Sequence, residues 1–338
     1  ITIKTQLMKK LTILLICVWA MMLAFTFSSS AQTVFALQNG SRTQFYTTLS
    51  TAISNIQDGD TLYLPGKPLD GDYTFAKKVT IIGAGYDPDS AAATGITKIT
   101  GRVYFAKNSK GSSITGVRTE GRVYVRDSLI TITRSNLESL EIQNGSNPIG
   151  FVYVGDCIIR NNIEGANDVV TNVLIERCIL NGNLGGGNKT NNLVIKNCVL
   201  TYNGNYFLYS ISNIIYQNSI ILNTNNYMFT AGSSSLTFTN NLFVRPAFSN
   251  NTYVMTGNIF GVPESDIFVD SANGNYHIKP TCTQALTLAT DGKEVGIYGT
   301  DNPFLVPTFA PRFISINNAE STVNGKLSVK MTVEARNR

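Results

Sequence analysis

Asn172-Val-Leu-Ile-Glu-Arg-Cys178-Ile-Leu180 is followed by Asn192-Leu-Val-Ile-Lys-Asn-Cys198-Val-Leu200 and then by Asn213-Ile-Ile-Tyr-Gln-Asn-Ser219-Ile-Ile221. The same register extends backward to Cys157-Ile-Ile159 and Asn136-Leu137. Forward, it reaches Asn241-Leu-Phe243 and, less regularly, Asn258-Ile-Phe260. From Asn136 through Cys157, Cys178, Cys198, Ser219 and Asn241 to Asn258 the spacings are 21, 21, 20, 21, 22 and 17 residues. Each unit is rich in β-branched residues, alternates over a few positions and is punctuated by Asn and Gly. Helical solenoid repeats are longer, and no 3.6-residue period is present. Twenty residues at about 3.3 Å each make one coil of a few short strands. Such a coil cannot bury its own apolar side chains and must stack on its neighbours. The repeat therefore predicts a parallel β-helix.

Three columns follow from this register. Cys157, Cys178 and Cys198 stack inside, one above another. Asn172, Asn192 and Asn213 fall six residues before that column, and Asn162, Asn183 and Asn203 five after it. Asn tolerates the left-handed backbone of a tight corner, and stacked amides can hydrogen-bond along the axis. The cysteines admit two readings, disulfides of an exported protein or an in-register column of small buried thiols; the column is the expectation.

At the amino end, Met8-Lys9-Lys10, the apolar run Leu11–Phe27 and Ser28-Ser-Ser-Ala31-Gln32 form a secretory signal pattern, with cleavage near Ala31. A membrane anchor is the alternative reading, for which the run is short. The organisation expected is upstream residues and signal peptide over 1–31, a β-helix with an N-terminal cap over 32–300, and a C-terminal linker with a hairpin or edge strands over 301–338. Leu49, Ala52, Ile53 and Ile56 share one face of a helix over Phe45–Gln57, suited to covering the first coil. Phe313–Ile316 and Lys326–Glu334 alternate as strands after Pro303, Pro307 and Pro311. The fold class is thus all-β: a right-handed parallel β-helix solenoid with a short N-terminal capping helix and a C-terminal β-strand extension.

The segments Ala52–Leu64, Val79-Thr-Ile-Ile-Gly-Ala-Gly85, Asn275-Tyr-His-Ile-Lys-Pro280 and Val295-Gly-Ile-Tyr-Gly299, together with the coil repeats, resemble the pectin-lyase-like superfamily of right-handed β-helices. More narrowly they resemble secreted β-helix repeat proteins of Bacteroidetes. The resemblance covers residues 45–300. It implies fold more than activity, because that superfamily holds lyases, hydrolases and adhesins.

Composition narrows the function classes. The 338 residues include 27 basic and 22 acidic ones, a formal charge of +5. Lys4, Lys9 and Lys10 lie in an amino-terminal segment without Asp or Glu, so 27 less these three leaves 24 basic against 22 acidic residues, a net +2. That balance argues against nucleic acid and against an anionic membrane surface. A single histidine, His277, excludes a multi-histidine metal site. The sequence lacks an Asp-Asp pair, a Gly-His-Gly segment and an Arg-x-Pro-x-x-Arg pattern, so no catalytic set is carried over from the resembled family. The acidic pairs Asp58/Asp60, Asp70/Asp72 and Asp87/Asp89 flank Gly or Pro, which is turn chemistry more than calcium chemistry. No cofactor and no metal are expected.

One motif remains. Gly101-Arg-Val-Tyr104 recurs as Gly121-Arg-Val-Tyr124, 20 residues or one coil later. With Val103, Phe105, Val123 and Val125 inward, Arg102, Tyr104, Arg122, Tyr124 and Arg126 point outward on one sheet. Coils lie about 4.8 Å apart, close to the rise of a sugar in an extended chain. These five residues are the candidate carbohydrate-binding set, expected to pair acidic groups and stack sugar rings. The bland alternative is ordinary Arg–aromatic packing with a salt link from Glu120. Tyr206 and Tyr227 form a second, weaker aromatic pair. The expectation is an exported, monomeric β-helix protein, in the periplasm or at the cell surface, that binds a polysaccharide or cell-surface glycan without catalysis. A polysaccharide lyase or glycoside hydrolase is the alternative, and a purely structural surface protein a third.

Overall fold

A computed structural model describes residues 34–338 except 90, 92–93, 144–147, 166–169, 186–189, 206–207, 210–211, 226–233, 249–252, 305–311, 319–328 and 335–338. The signal segment and the pair Tyr206/Tyr227 lie outside the described residues. The chain is a right-handed parallel β-helix of about eight turns built on three sheets. Among the described residues the first sheet has 12 strands, the second nine and the third seven, and successive coils supply successive strands to each. The second-sheet strands are two residues long, such as Ile179–Leu180 and Val199–Leu200.

The corner between the first and second sheets explains the repeat. One residue there adopts a left-handed backbone in coil after coil: Arg134, Asp156, Arg177, Asn197, Asn218 and Asn240, with φ from 44° to 55°. The following residue points inward, and its side chain caps the amide of the corresponding residue in the previous coil. Cys178 N–H donates to Cys198 Sγ at 3.4 Å, Cys198 N–H to Ser219 Oγ at 3.1 Å, and Ser219 N–H to Asn241 Oδ1 at 2.9 Å. A tight corner leaves these amides out of the sheet ladder, and buried amides need partners. Cys, Ser and Asn share the column because each is small and accepts a hydrogen bond.

Cys157, Cys178 and Cys198 are all 0% exposed and free, as the stacked column requires. One neighbour differs from expectation. Asn136 pairs with Ile158, not Cys157, so Ser135 occupies the inward column and Asn136 points out. The first asparagine column behaves as expected: Asn172, Asn192 and Asn213 have φ of 55°, 59° and 58°, and Asn192 Nδ2 donates to Asn172 Oδ1 at 3.2 Å. The second does not. Asn162 and Asn183 keep ordinary backbone, and their carbonyls accept from Leu140 and Ile163 as each chain enters the third sheet.

The amino end is capped by more than a helix. β1 (Phe35–Asn39) and β2 (Arg42–Tyr46) form an antiparallel hairpin, and β1 runs antiparallel to β3 (Asp60–Tyr63), the first coil strand. The helix α1 is shorter than its sequence pattern, Leu49–Ser54, with Thr48 as N-cap. Phe45 lies in β2 and is 69% exposed, whereas Leu49, Ala52 and Ile56 join the core. The hairpin turns the free edge of the first sheet antiparallel, which blunts its capacity to recruit another chain.

At the other end the coil ladder of the first sheet closes with Val254–Thr256. Beyond it, residues 262–304 pack outside the coil. Val262, Ile267, Phe268, Ala285, Val295, Ile297 and Phe304 form a second core with the outward side chains of Ile179, Val199, Ile220 and Leu242 on the second sheet. His277 lies in this segment, in an antiparallel pair with Phe268–Asp270, its ring stacked on Tyr298 at 3.9 Å. Arg312–Asn318 and Val329–Glu334 form an antiparallel hairpin, the expected C-terminal strands.

Candidate functional site

The five residues singled out by the Gly-Arg-Val-Tyr repeat sit together on the outer face of the third sheet. Val103 pairs with Val123 and Tyr104 with Tyr124, and the flanking Val103, Phe105, Val123 and Val125 are buried, which turns Tyr104 and Tyr124 outward. The glycines are structural. A Cβ at Gly101 would collide with the Gly71 carbonyl, and one at Gly121 with the Gly101 carbonyl. Successive coils thus approach most closely where the chain turns into the third sheet, and only glycine permits it.

Tyr104 and Tyr124 stack with centroids 4.6 Å apart and planes 8° from parallel. The Arg126 guanidinium lies 5.2 Å from one ring centroid and 5.3 Å from the other. It is thus in reach of both tyrosines, and its attraction to their rings helps hold the pair. The two rings cover one face of each other, and the Tyr124 side chain hydrogen-bonds Arg102. At 4.6 Å between centroids there is no room for a sugar ring between the two tyrosines.

Sequence reasoning missed the rest of this column. Tyr124 is followed on the next two coils by Glu141 and Glu164, and Tyr104 is preceded by Thr74. One outward column thus reads Thr74, Tyr104, Tyr124, Glu141, Glu164, one residue per coil. Arg122 Nη1 donates to Glu141 Oε2 at 2.5 Å and to Glu164 Oε2 at 2.7 Å, and Nη2 lies 3.4 Å from Glu164 Oε1. Burial by itself lowers the Arg122 guanidinium, but the Glu141 hydrogen bond and the charges of both glutamates outweigh it and raise it above its usual value. Arg102 is half-exposed; its Nε pairs with Asp72 Oδ2 at 3.2 Å, and its amide donates to Asp72 Oδ1 at 2.7 Å. Asn162 Nδ2 lies 3.4 Å from Glu164 Oε1, bringing the neighbouring asparagine into the same band.

Glu120 takes no part. It pairs with Arg118 at 2.8 Å, Arg160 at 3.0 Å and Lys98 at 3.4 Å, a separate network along the second sheet. A corner network is built from Arg177, which binds Asp156 at 2.8 Å, Glu176 at 2.8 Å and the Tyr153 hydroxyl at 3.0 Å; Lys196 approaches Glu176 only at 3.9 Å. The acidic turns are engaged locally: Asp58 with the Lys78 amide, Asp60 with Arg42 and Asn39, Asp70 with Thr100, Asp72 with Arg102, and Asp87 with the Asp89 amide. Among the described residues no group of three or more His, Cys, Asp or Glu side chains is arranged to hold a metal ion, and no helix is long and apolar enough to cross a membrane.

A cleft of about 710 Å³ lies between Phe260–Pro263 and Thr281–Gln284 at the carboxyl end of the coil. Its lysine, Lys279, donates to the Ser265 carbonyl at 2.7 Å, and Ser265 lies 3.3 Å from the Asp266 carboxylate. It has no repeated pattern like that of the third sheet. The axial band is the more specific arrangement, since it places one polar or aromatic group on each of five consecutive coils. Among known proteins, no family model and no curated protein matches this chain.

Proposed function

We propose that this chain binds an extended polysaccharide along the outer face of its third sheet, without transforming it. The observation that supports this reading most is the axial column Thr74–Tyr104–Tyr124–Glu141–Glu164. Its period of about 4.8 Å matches a repeating ligand laid parallel to the axis. The signal pattern at Met8–Ala31 supports, as part of the same proposal, a location outside the cytoplasm, in the periplasm or at the cell surface. Kinship with the pectin-lyase-like superfamily, and with its Bacteroidetes members, belongs to the same proposal and rests on the quoted sequence segments.

One observation favours a second reading, a glycoside hydrolase: Glu141 and Glu164 are carboxylates on adjacent coils, both touching Arg122. Paired carboxylates flanking a scissile bond are what such chemistry needs. The binding reading is preferred because a single guanidinium ties both carboxylates down. Arg122, a cation a lyase would need for a uronate carboxylate, is likewise committed to those two anions.

The test is binding of purified protein to a polysaccharide panel by affinity electrophoresis, with reducing and unsaturated ends assayed in parallel. Retardation without new ends is expected. Replacing Tyr104 and Tyr124 together by Ala should leave the melting temperature within a few degrees and weaken binding about tenfold. Retardation unchanged in that double variant would remove the third-sheet face as the site; new reducing ends without unsaturation would establish the hydrolase, and unsaturated ends a lyase.

A further inference from the structure

Resting on that reading, we infer that the ligand is a neutral, hydroxyl-rich polysaccharide, not an acidic one. The charges on the face carry the argument. Three guanidinium groups, Arg102, Arg122 and Arg126, stand among three carboxylates, Asp72, Glu141 and Glu164. Arg102 is paired with Asp72 at 3.2 Å, and Arg122 with Glu141 and Glu164 at 2.5 Å and 2.7 Å. Arg126 braces the tyrosine stack at 5.2 Å and 5.3 Å. The band is therefore neutral as a whole, and its cations are already placed.

A polyuronate laid along the axis would carry a carboxylate at every coil or two. At the Glu141 and Glu164 rungs it would meet like charge. To recruit Arg122 it would have to take that guanidinium from two partners whose side chains are only 11% and 26% exposed, leaving both carboxylates half-desolvated and unpaired. One exposed ion pair gained in exchange does not offset that loss.

Hydroxyl groups face no such cost. An ionised carboxylate accepts at about four lone-pair sites. Arg122 makes one contact to Glu141; Arg122 and Asn162 together make three to Glu164. Acceptor capacity therefore remains on both glutamates, and Glu164, the more exposed of the two, offers it most openly to sugar O–H donors. Tyr104 and Tyr124 add two hydroxyls, the second shared with Arg102, and Thr74 a third, at the preceding rungs. Such a surface is dominated by acceptors and by groups able to act either way, which suits a ligand rich in donors and without charge. Arg122 holds the two glutamates in register, so it is a positioning residue here and not the ligand's counter-ion.

The experiment compares soluble neutral chains (a mixed-linkage glucan, a galactomannan, a xylan) with polygalacturonate and alginate, by titration calorimetry at low and high sodium chloride. The wild-type protein should bind a neutral chain with an affinity that changes less than twofold with salt, and bind the polyuronates at least tenfold more weakly. Replacing both Glu141→Gln and Glu164→Gln keeps shape and frees Arg122. That variant should lose about tenfold on the neutral chain and gain salt-sensitive polyuronate binding. Tyr124→Phe, which deletes one hydroxyl alone, should weaken neutral binding even if the double variant proves unstable. Salt-sensitive polyuronate binding by the wild type would overturn this inference and leave the glycan reading standing. Binding to none of the five polymers would remove both.

Discussion

Asp60 illustrates how a single residue joins the cap to the coil. Its carboxylate is 0% exposed, and it accepts from Asn39 Nδ2 at 2.8 Å, Arg42 Nη2 at 2.6 Å and the Gln57 amide at 2.8 Å. Burial alone would raise its pKa; the Gln57 amide, Asn39 and Arg42 outweigh burial and hold it below the ordinary value of 3.8. A carboxylate lowered in the folded state adds stability at pH values above its unfolded pKa. That contribution fades as pH falls through the folded value. Asp60→Asn should therefore cost about 2–3 kcal/mol at neutral pH, because three donors lose a charged acceptor. Urea unfolding at a series of pH values checks this: the gap between wild type and variant should close below about pH 4. A gap constant down to pH 2 would mean that the ionised form contributes nothing. The same scale shows where the fold tolerates strain. Leu129 and Phe151 take left-handed conformations, φ 61° and 59°, at the column where later coils place Asn172, Asn192 and Asn213, and both are exposed.

At the scale of the coil, the three aligned segments made the architecture readable, because their apolar alternation, corner asparagine and inward thiol repeat together. The register slipped at Ser135 for a definable reason. The inward corner position selects a small hydrogen-bond acceptor, and Cys, Ser and Asn all qualify, so Asn136 resembled a member of a column that its neighbour occupies. The hairpin before α1 was not legible either. Val34–Tyr46 carries few apolar residues in strict alternation, and its pairing with β3 is antiparallel, outside the pattern that the repeats teach. The thiol column gives the direct check on register. Burial pushes the Cys157 and Cys198 thiols upward, and all three column thiols lie among apolar side chains. All three are 0% exposed, so reagent reaches them only on opening, and a maleimide should label Cys157, Cys178 and Cys198 at least a hundredfold more slowly in buffer than in denaturant, as read by peptide mapping. Rapid native labelling of all three would refute the coil alignment.

Over the whole molecule, two features went unread in the sequence for opposite reasons. Glu141 and Glu164 belong to no recurring motif: Glu141 follows Leu137 by four residues and Glu164 follows Ile159 by five, although both pairs are in register across the coils. A corner that gains one residue hides the column from any fixed-period alignment. Arg102, Tyr104, Arg122 and Tyr124 were visible because their motif recurs at one coil length. The outer segment 262–304, by contrast, left a signal that alternation alone passes over. Ile179-Leu180, Val199-Leu200, Ile220-Ile221 and Leu242-Phe243 are apolar doublets, and a strand apolar on both faces is covered on both. The first residue of each doublet packs against the outer segment, and Leu180, Leu200, Ile221 and Phe243 pack inside the coil.

Adjacent isoleucines can therefore separate the two cores. Ile220 and Ile221 are both 0% exposed, and either one replaced by Ala should cost about 2–4 kcal/mol. The losses fall in different places. Ile220 meets the outer segment, whose Gly296 amide bonds the Asn218 carbonyl at 2.8 Å and whose Thr290 amide bonds Asn218 Oδ1 at 3.0 Å. Ile220→Ala should speed amide exchange and proteolysis within residues 262–304 and leave the coil strands protected. Ile221→Ala should loosen Val199–Leu200, Ile220–Ile221 and Leu242–Phe243 and lower the main unfolding transition. Neither substitution touches the third-sheet face, so glycan affinity should survive in the Ile220 variant below its transition. Hydrogen exchange read by mass spectrometry distinguishes the patterns. The same peptides exposed in both variants would mean that coil and outer segment unfold as one unit, and that residues 262–304 are part of the solenoid's single cooperative core.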